Sequence, residues 1–114
     1  MKDVKIYEEF IIQNQKNERF KILSKNLINR AKEFYNPEYI FENEEYKELI
    51  SLGKDIVPLI VEEFLKTQNG IWVTTLHDIT NLKPYEVKPK TSKDFINGWL
   101  NWCKNDYKEW LKNQ

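Results

Sequence analysis

Apolar residues recur along this chain at three- and four-residue steps, with polar stretches between the groups. Over residues 18–35, Phe20, Leu23, Leu27, Ala31 and Phe34 fall on one stripe, which predicts a helix. Ahead of it, Val4, Ile6, Tyr7, Phe10 and Ile11 share a roughly helical face over residues 3–13, although the β-branched content also admits a strand. Asn14, Gln15, Lys16 and Asn17 separate the two groups and predict a turn. Asn36-Pro37 ends the second helix, because the residue before a proline disfavours the α region.

Residues 38–43 are expected to form an acidic loop or short turn anchored by Tyr39, Ile40 and Phe41. Asn43 is placed to cap a helix over 44–52, with Glu44 and Glu45 in the first turn, where the helix dipole favours negative charge. Tyr46, Leu49 and Ile50 make its apolar face, and Gly53 suits the left-handed position that ends helices. Asp55 would cap the next helix, with Pro58 inside the first turn, where no N–H is needed. Ile56, Val57, Leu59, Ile60, Val61 and Phe64 give that helix a broad apolar face. After a turn at 67–70, Trp72, Val73, Leu76, Ile79 and Thr80 mark a further helix. Residues 81–90 hold Pro84 and Pro89 and are expected to be irregular. Thr91 with Asp94 three residues on gives a capping-box-like start. It opens a last helix over 92–112 with two stripes, one of Phe95, Trp99 and Trp102, the other of Ile96, Leu100, Cys103, Tyr107 and Leu111. The expectation is an all-α fold of five to six helices.

The run Leu52-Gly53-x-x-Ile56-Val57-Pro58-Leu59-Ile60, followed by Trp72-x-x-x-Leu76-x-x-Ile79-Thr80, resembles a HEAT-like helical repeat. With Tyr46, Leu49, Ile50, Trp99, Leu100 and Trp102, the segment is similar to a family of small, uncharacterised bacterial proteins. Thr75 and Asn81 depart from that pattern, which usually has alanine and glycine there. The resemblance implies a central HEAT-like hairpin over about 54–81 with flanking helices as caps. It implies no reaction.

A chain of 114 residues is expected to be a single domain, 1–114. Its hydrophobic fraction of 40% supplies a core, while 32% charged residues and a mean hydropathy of −0.72 fit a soluble protein. No apolar run approaches the ~20 residues that span a bilayer, and Lys2, Asp3, Lys5, Glu8 and Glu9 interrupt the N-terminus where a signal peptide would be apolar. A cytoplasmic location without membrane contact is the expectation. Zero net charge gives no general attraction to nucleic acid. One cysteine and one histidine rule out an internal disulfide and Cys- or His-rich metal sites, so no metal or cofactor is expected.

The chemistry-bearing residues are few. His77 and Asp78 are adjacent, but helix neighbours diverge by ~100° and make a poor acid–base dyad. Cys103 falls on an apolar stripe, where a thiol behaves as a small hydrophobe. Glu38, Glu42, Glu44, Glu45 and Glu48 form an acidic patch without metal-binding spacing. Lys83, Lys88, Lys90 and Lys93 cluster around the proline loop with Tyr85, while Lys104, Lys108 and Lys112 follow one helix edge. Four tryptophans are many for this length, and Trp110 lies apart from the denser apolar face.

These features point to a noncatalytic protein-interaction domain, in its most concrete form a small bacterial or phage inhibitor or antitoxin-like factor. Its contacts with a protein partner would come from the acidic patch and Trp110. The reading from another class is a nucleic-acid-binding helical domain, with the residue 83–93 loop and the C-terminal lysines on phosphates and Tyr85 stacked on a base. The sequence also admits a homodimer through the last helix.

Overall fold

A computed structural model describes the backbone of residues 2–33, 40–84 and 89–114, and within the first stretch the side chains of 5–31. The described residues form six α-helices and one 3-10 turn, with no strand among them. The helices are α1 (Lys2–Glu33), α2 (Glu44–Ser51), α3 (Val57–Thr67), α4 (Gly70–Thr80), α5 (Ser92–Asn105) and α6 (Tyr107–Lys112), and the 3-10 turn is Gly53–Ile56. No described helix is long and apolar enough to cross a membrane. The chain divides into two compact units, Met1–Ile56 and Val57–Gln114.

In the first unit, α1 is one continuous helix, where the sequence predicted two segments and a turn. No glycine or proline lies within its 32 residues, and poor helix formers alone do not break a helix that is held by its neighbours. Gln13 donates to Asn17 one turn on, at 2.9 Å, and Lys16 reaches the Asp55 carboxylate at 2.6 Å. The supposed turn is thus the stretch that docks on the 3-10 turn. Phe20, Leu23 and Leu27 are buried as their stripe predicts, and they share the unit's core with Ile40, Tyr46, Leu49 and Ile56. Phe41 sets its ring edge-on to Tyr46, with centroids 5.1 Å apart.

Local rules set the boundaries of α2. The Asn43 side chain accepts from the Glu45 N–H at 2.7 Å, as an N-cap should. Gly53 has φ +75°, the left-handed position expected of it. Asp55 does not cap the next helix: it lies inside the 3-10 turn, and its carboxylate takes Lys16.

In the second unit, α3 and α4 pack on each other across a two-residue link, Gln68-Asn69. Pro58 falls in the first turn of α3, and Asn69 caps α4 by accepting from the Ile71 N–H at 3.0 Å. Asn81 ends α4 at φ +60°, a left-handed residue in the place of a glycine. The capping box of Thr91 and Asp94 opens α5. The final helix, expected as one, is broken at Asp106 into α5 and α6. Asn105-Asp106 are poor helix formers whose side chains compete for backbone groups. The core of this unit holds Val57, Ile60, Phe64, Trp72, Leu76, Trp99 and Trp102, together with Thr75, whose hydroxyl donates to the Ile71 carbonyl at 2.7 Å.

Candidate functional site

The acidic residues divide into two groups once folded. Glu45 and Glu48 are half-buried and face α1. Arg19 grips Glu48 through both Nε and Nη2, the second contact at 2.8 Å. Arg30 reaches Glu45 at 2.8 Å, and Asn26 donates to the other oxygen of Glu45 at 2.7 Å. The Arg19 hydrogen bond holds the Glu48 carboxyl below its ordinary range, and Glu48 in turn raises the Arg19 guanidinium. These two carboxylates join α2 to α1 and carry little uncompensated charge. Glu42 and Glu44 stay exposed, the latter 3.5 Å from Lys47. Glu38 lies outside the described residues.

Of the lysines around the proline loop and on the last helix, Lys83, Lys90, Lys93, Lys104, Lys108 and Lys112 are described, and all are exposed. Tyr85 and Lys88 lie outside the described residues. The Asp106 break separates Lys104 from Lys108, so the three C-terminal lysines do not follow one uninterrupted helix edge. Trp110 is half-buried against Trp102, edge-on at 5.9 Å, and stacked on Tyr107 at 6.4 Å. Trp102 meets Trp99 edge-on at 5.3 Å, so these rings form one contiguous cluster within the second unit.

His77 and Cys103 have structural roles. The His77 Nδ1–H donates to the Leu82 carbonyl at 3.0 Å, holding the chain as it leaves α4 beside the left-handed Asn81. Thr80 adds to this knot, donating to the Leu76 carbonyl and accepting from the Leu82 N–H. Burial pushes the Cys103 thiol up to about 11, which leaves it protonated and a poor nucleophile at neutral pH. Among the described residues, no three His, Cys, Asp or Glu side chains gather into a metal-binding group.

The surface that sequence reasoning passed over is the N-terminal part of α1. Ile6, Tyr7 and Phe10 are 66%, 64% and 62% exposed, and Ile11 is 38% exposed. The signal was present as a shared helical face, but periodicity does not say whether a face is covered. Further along α1, Ile11, Asn14, Gln15, Glu18, Arg19 and Ile22 line a shallow depression of about 420 Å³. In the second unit, Gly70, Val73, Thr74, Ser92, Phe95 and Ile96 line a smaller hollow of about 240 Å³ at the first turns of α4 and α5. Comparison of the chain with protein-family models, curated proteins and solved structures found no match.

Proposed function

We propose that this chain is a noncatalytic protein-interaction domain whose contact surface is the N-terminal part of α1. One observation carries the reading: Ile6, Tyr7 and Phe10 stand together on one helix with most of their surface in water, and Ile11 beside them is 38% exposed. A contiguous apolar patch rimmed by charge is the usual mark of a protein contact. Tyrosine and phenylalanine are also typical anchors of such contacts. The acidic residues support this choice of surface, because Glu45 and Glu48 are occupied in holding α1 to α2.

Affinity capture with the tagged chain and with a Phe10→Glu variant tests the reading. A protein recovered in stoichiometric amount, insensitive to nuclease and retained ~30-fold less well by Phe10→Glu, is the expected result. Loss of the recovered material on nuclease treatment would transfer the function to the exposed lysines.

A further inference from the structure

We infer that the apolar face at the start of α1 is covered by a second copy of this chain, the two helices running antiparallel about a two-fold axis. The inference rests on the protein-interaction reading and names the occupant of that same face. The sequence Ile6-Tyr7-Glu8-Glu9-Phe10-Ile11 is palindromic in character: aliphatic, aromatic, acid, acid, aromatic, aliphatic. At 100° per residue its four apolar members fall within an arc of about 140°, while Glu8 and Glu9 point to the other side. A two-fold axis between positions 8 and 9 therefore brings Tyr7 of one copy level with Phe10 of the other at the centre of the contact, with Ile6 and Ile11 on its two flanks. An isologous contact requires this kind of self-complementary patch. The parallel arrangement would instead place each residue on its own copy and lose the use of the palindrome.

Area and charge agree with this pairing. Side chains 66%, 64%, 62% and 38% exposed present an apolar face on the order of 500 Å². Two such faces present at most about 1,000 Å² in total, the threshold for a specific contact and the size of a weak, reversible one. The chain has a formal net charge of zero, so no long-range repulsion opposes the meeting of two copies. Lys5, Glu8 and Glu9 are exposed on the rest of the helix, with the 51% exposed Ile12 between the two glutamates, and this side stays hydrated in the pair.

Sedimentation equilibrium on the full chain tests the inference, with circular dichroism to establish that each variant is folded. The wild type is expected at twice its 13.9 kDa mass at tens of micromolar, with a dissociation constant raised at least ~30-fold by Phe10→Glu. A wild type that stays monomeric, or a dimer indifferent to Phe10→Glu, would each overturn the proposal. The two readings fail separately. A monomer whose protein capture still depends on Phe10 sinks the dimer and keeps the interaction domain, whereas a monomer whose capture ignores Phe10 sinks both.

Discussion

Arg19 and Glu48 meet as a two-point pair, guanidinium Nε and Nη2 against both carboxylate oxygens, and so fix α2 on α1. Only arginine offers this planar fork, and Lys at position 19 would keep the charge and lose one of the two contacts. Arg19→Lys and Glu48→Gln are each expected to lower the urea midpoint slightly. The double variant should fall by less than the sum, because the second change removes a pair already broken. The coupling should shrink in high salt, since both side chains are partly exposed to solvent. A double-mutant cycle in urea at low and high ionic strength checks both points.

Position along α1 separates core from surface. Leu27 is fully buried in the first unit, whereas Ile22 on the same helix is 51% exposed. Leu27→Ala leaves a cavity and is expected to cost about 2–5 kcal/mol. Ile22→Ala removes more carbon from water than from the core and should change stability by no more than about 0.5 kcal/mol. Chemical denaturation of the two variants at one protein concentration settles the comparison.

These contrasts show which parts of the chain were legible as sequence. Asn43, Gly53 and Thr91 delimit helices through rules that need only a few neighbouring residues, and each is found where those rules put it. The turn expected at 14–17 is instead helix, and the contact that docks it, Lys16 to Asp55, comes from far along the chain. The break at Asp106 was invisible for the opposite reason. The stripe from Cys103 to Tyr107 keeps its four-residue step across the break, so periodicity registers no interruption. The acidic patch was legible as charge, but its partners Arg19 and Arg30 come from another helix, and pairing at that distance leaves no local pattern. The exposed face of Ile6, Tyr7 and Phe10 reads like any amphipathic helix, since composition records apolar character and not what covers it.

Backbone strain at Gly53 gives an independent check of the join after α2. The residue sits at φ +75°, and a Cβ added there would meet nothing within 4 Å. The penalty for Gly53→Ala is therefore conformational alone, about 1–2 kcal/mol. Gly53→Asn should recover part of that loss, because asparagine tolerates the left-handed region, as Asn81 does at φ +60°. Urea midpoints of the two variants are expected in the order wild type, Asn, Ala.

The Cys103 thiol reports on the second unit. With its ionisation pushed up to about 11 by burial, the thiolate fraction at pH 8 is on the order of one in a thousand. Thiol-reactive dye is expected to label the native protein at least ~100-fold more slowly than the urea-unfolded chain, where the thiol returns to its ordinary value. Rapid native labelling at pH 8 would show that α5 does not bury this residue.

The start of α5 carries a pH dependence whose sign follows from its hydrogen bonds. The Asp94 carboxylate accepts from the backbone N–H groups of Lys90 at 3.0 Å and Thr91 at 3.2 Å, and these donors hold its ionisation below the ordinary range. A carboxyl lowered in the folded state contributes stability above its unfolded value of about 4. That contribution is lost as pH falls through the lower folded value. Glu48 is lowered in the same direction by Arg19, so the wild type loses both contributions in acid. Asp94→Asn keeps Glu48 and removes only the first. The stability gap between wild type and Asp94→Asn should be widest at pH 6 and narrow steadily toward pH 3, read from urea midpoints across that range. Thr91→Ala removes the other half of the capping box, the hydroxyl that accepts from the Asp94 N–H at 3.3 Å. It should cost about 1 kcal/mol. It also leaves the Lys90 and Thr91 N–H groups on the Asp94 carboxylate, so much of the pH dependence should survive. A gap between wild type and Asp94→Asn that stayed constant with pH would show that the Asp94 carboxylate does not hold these donors in solution.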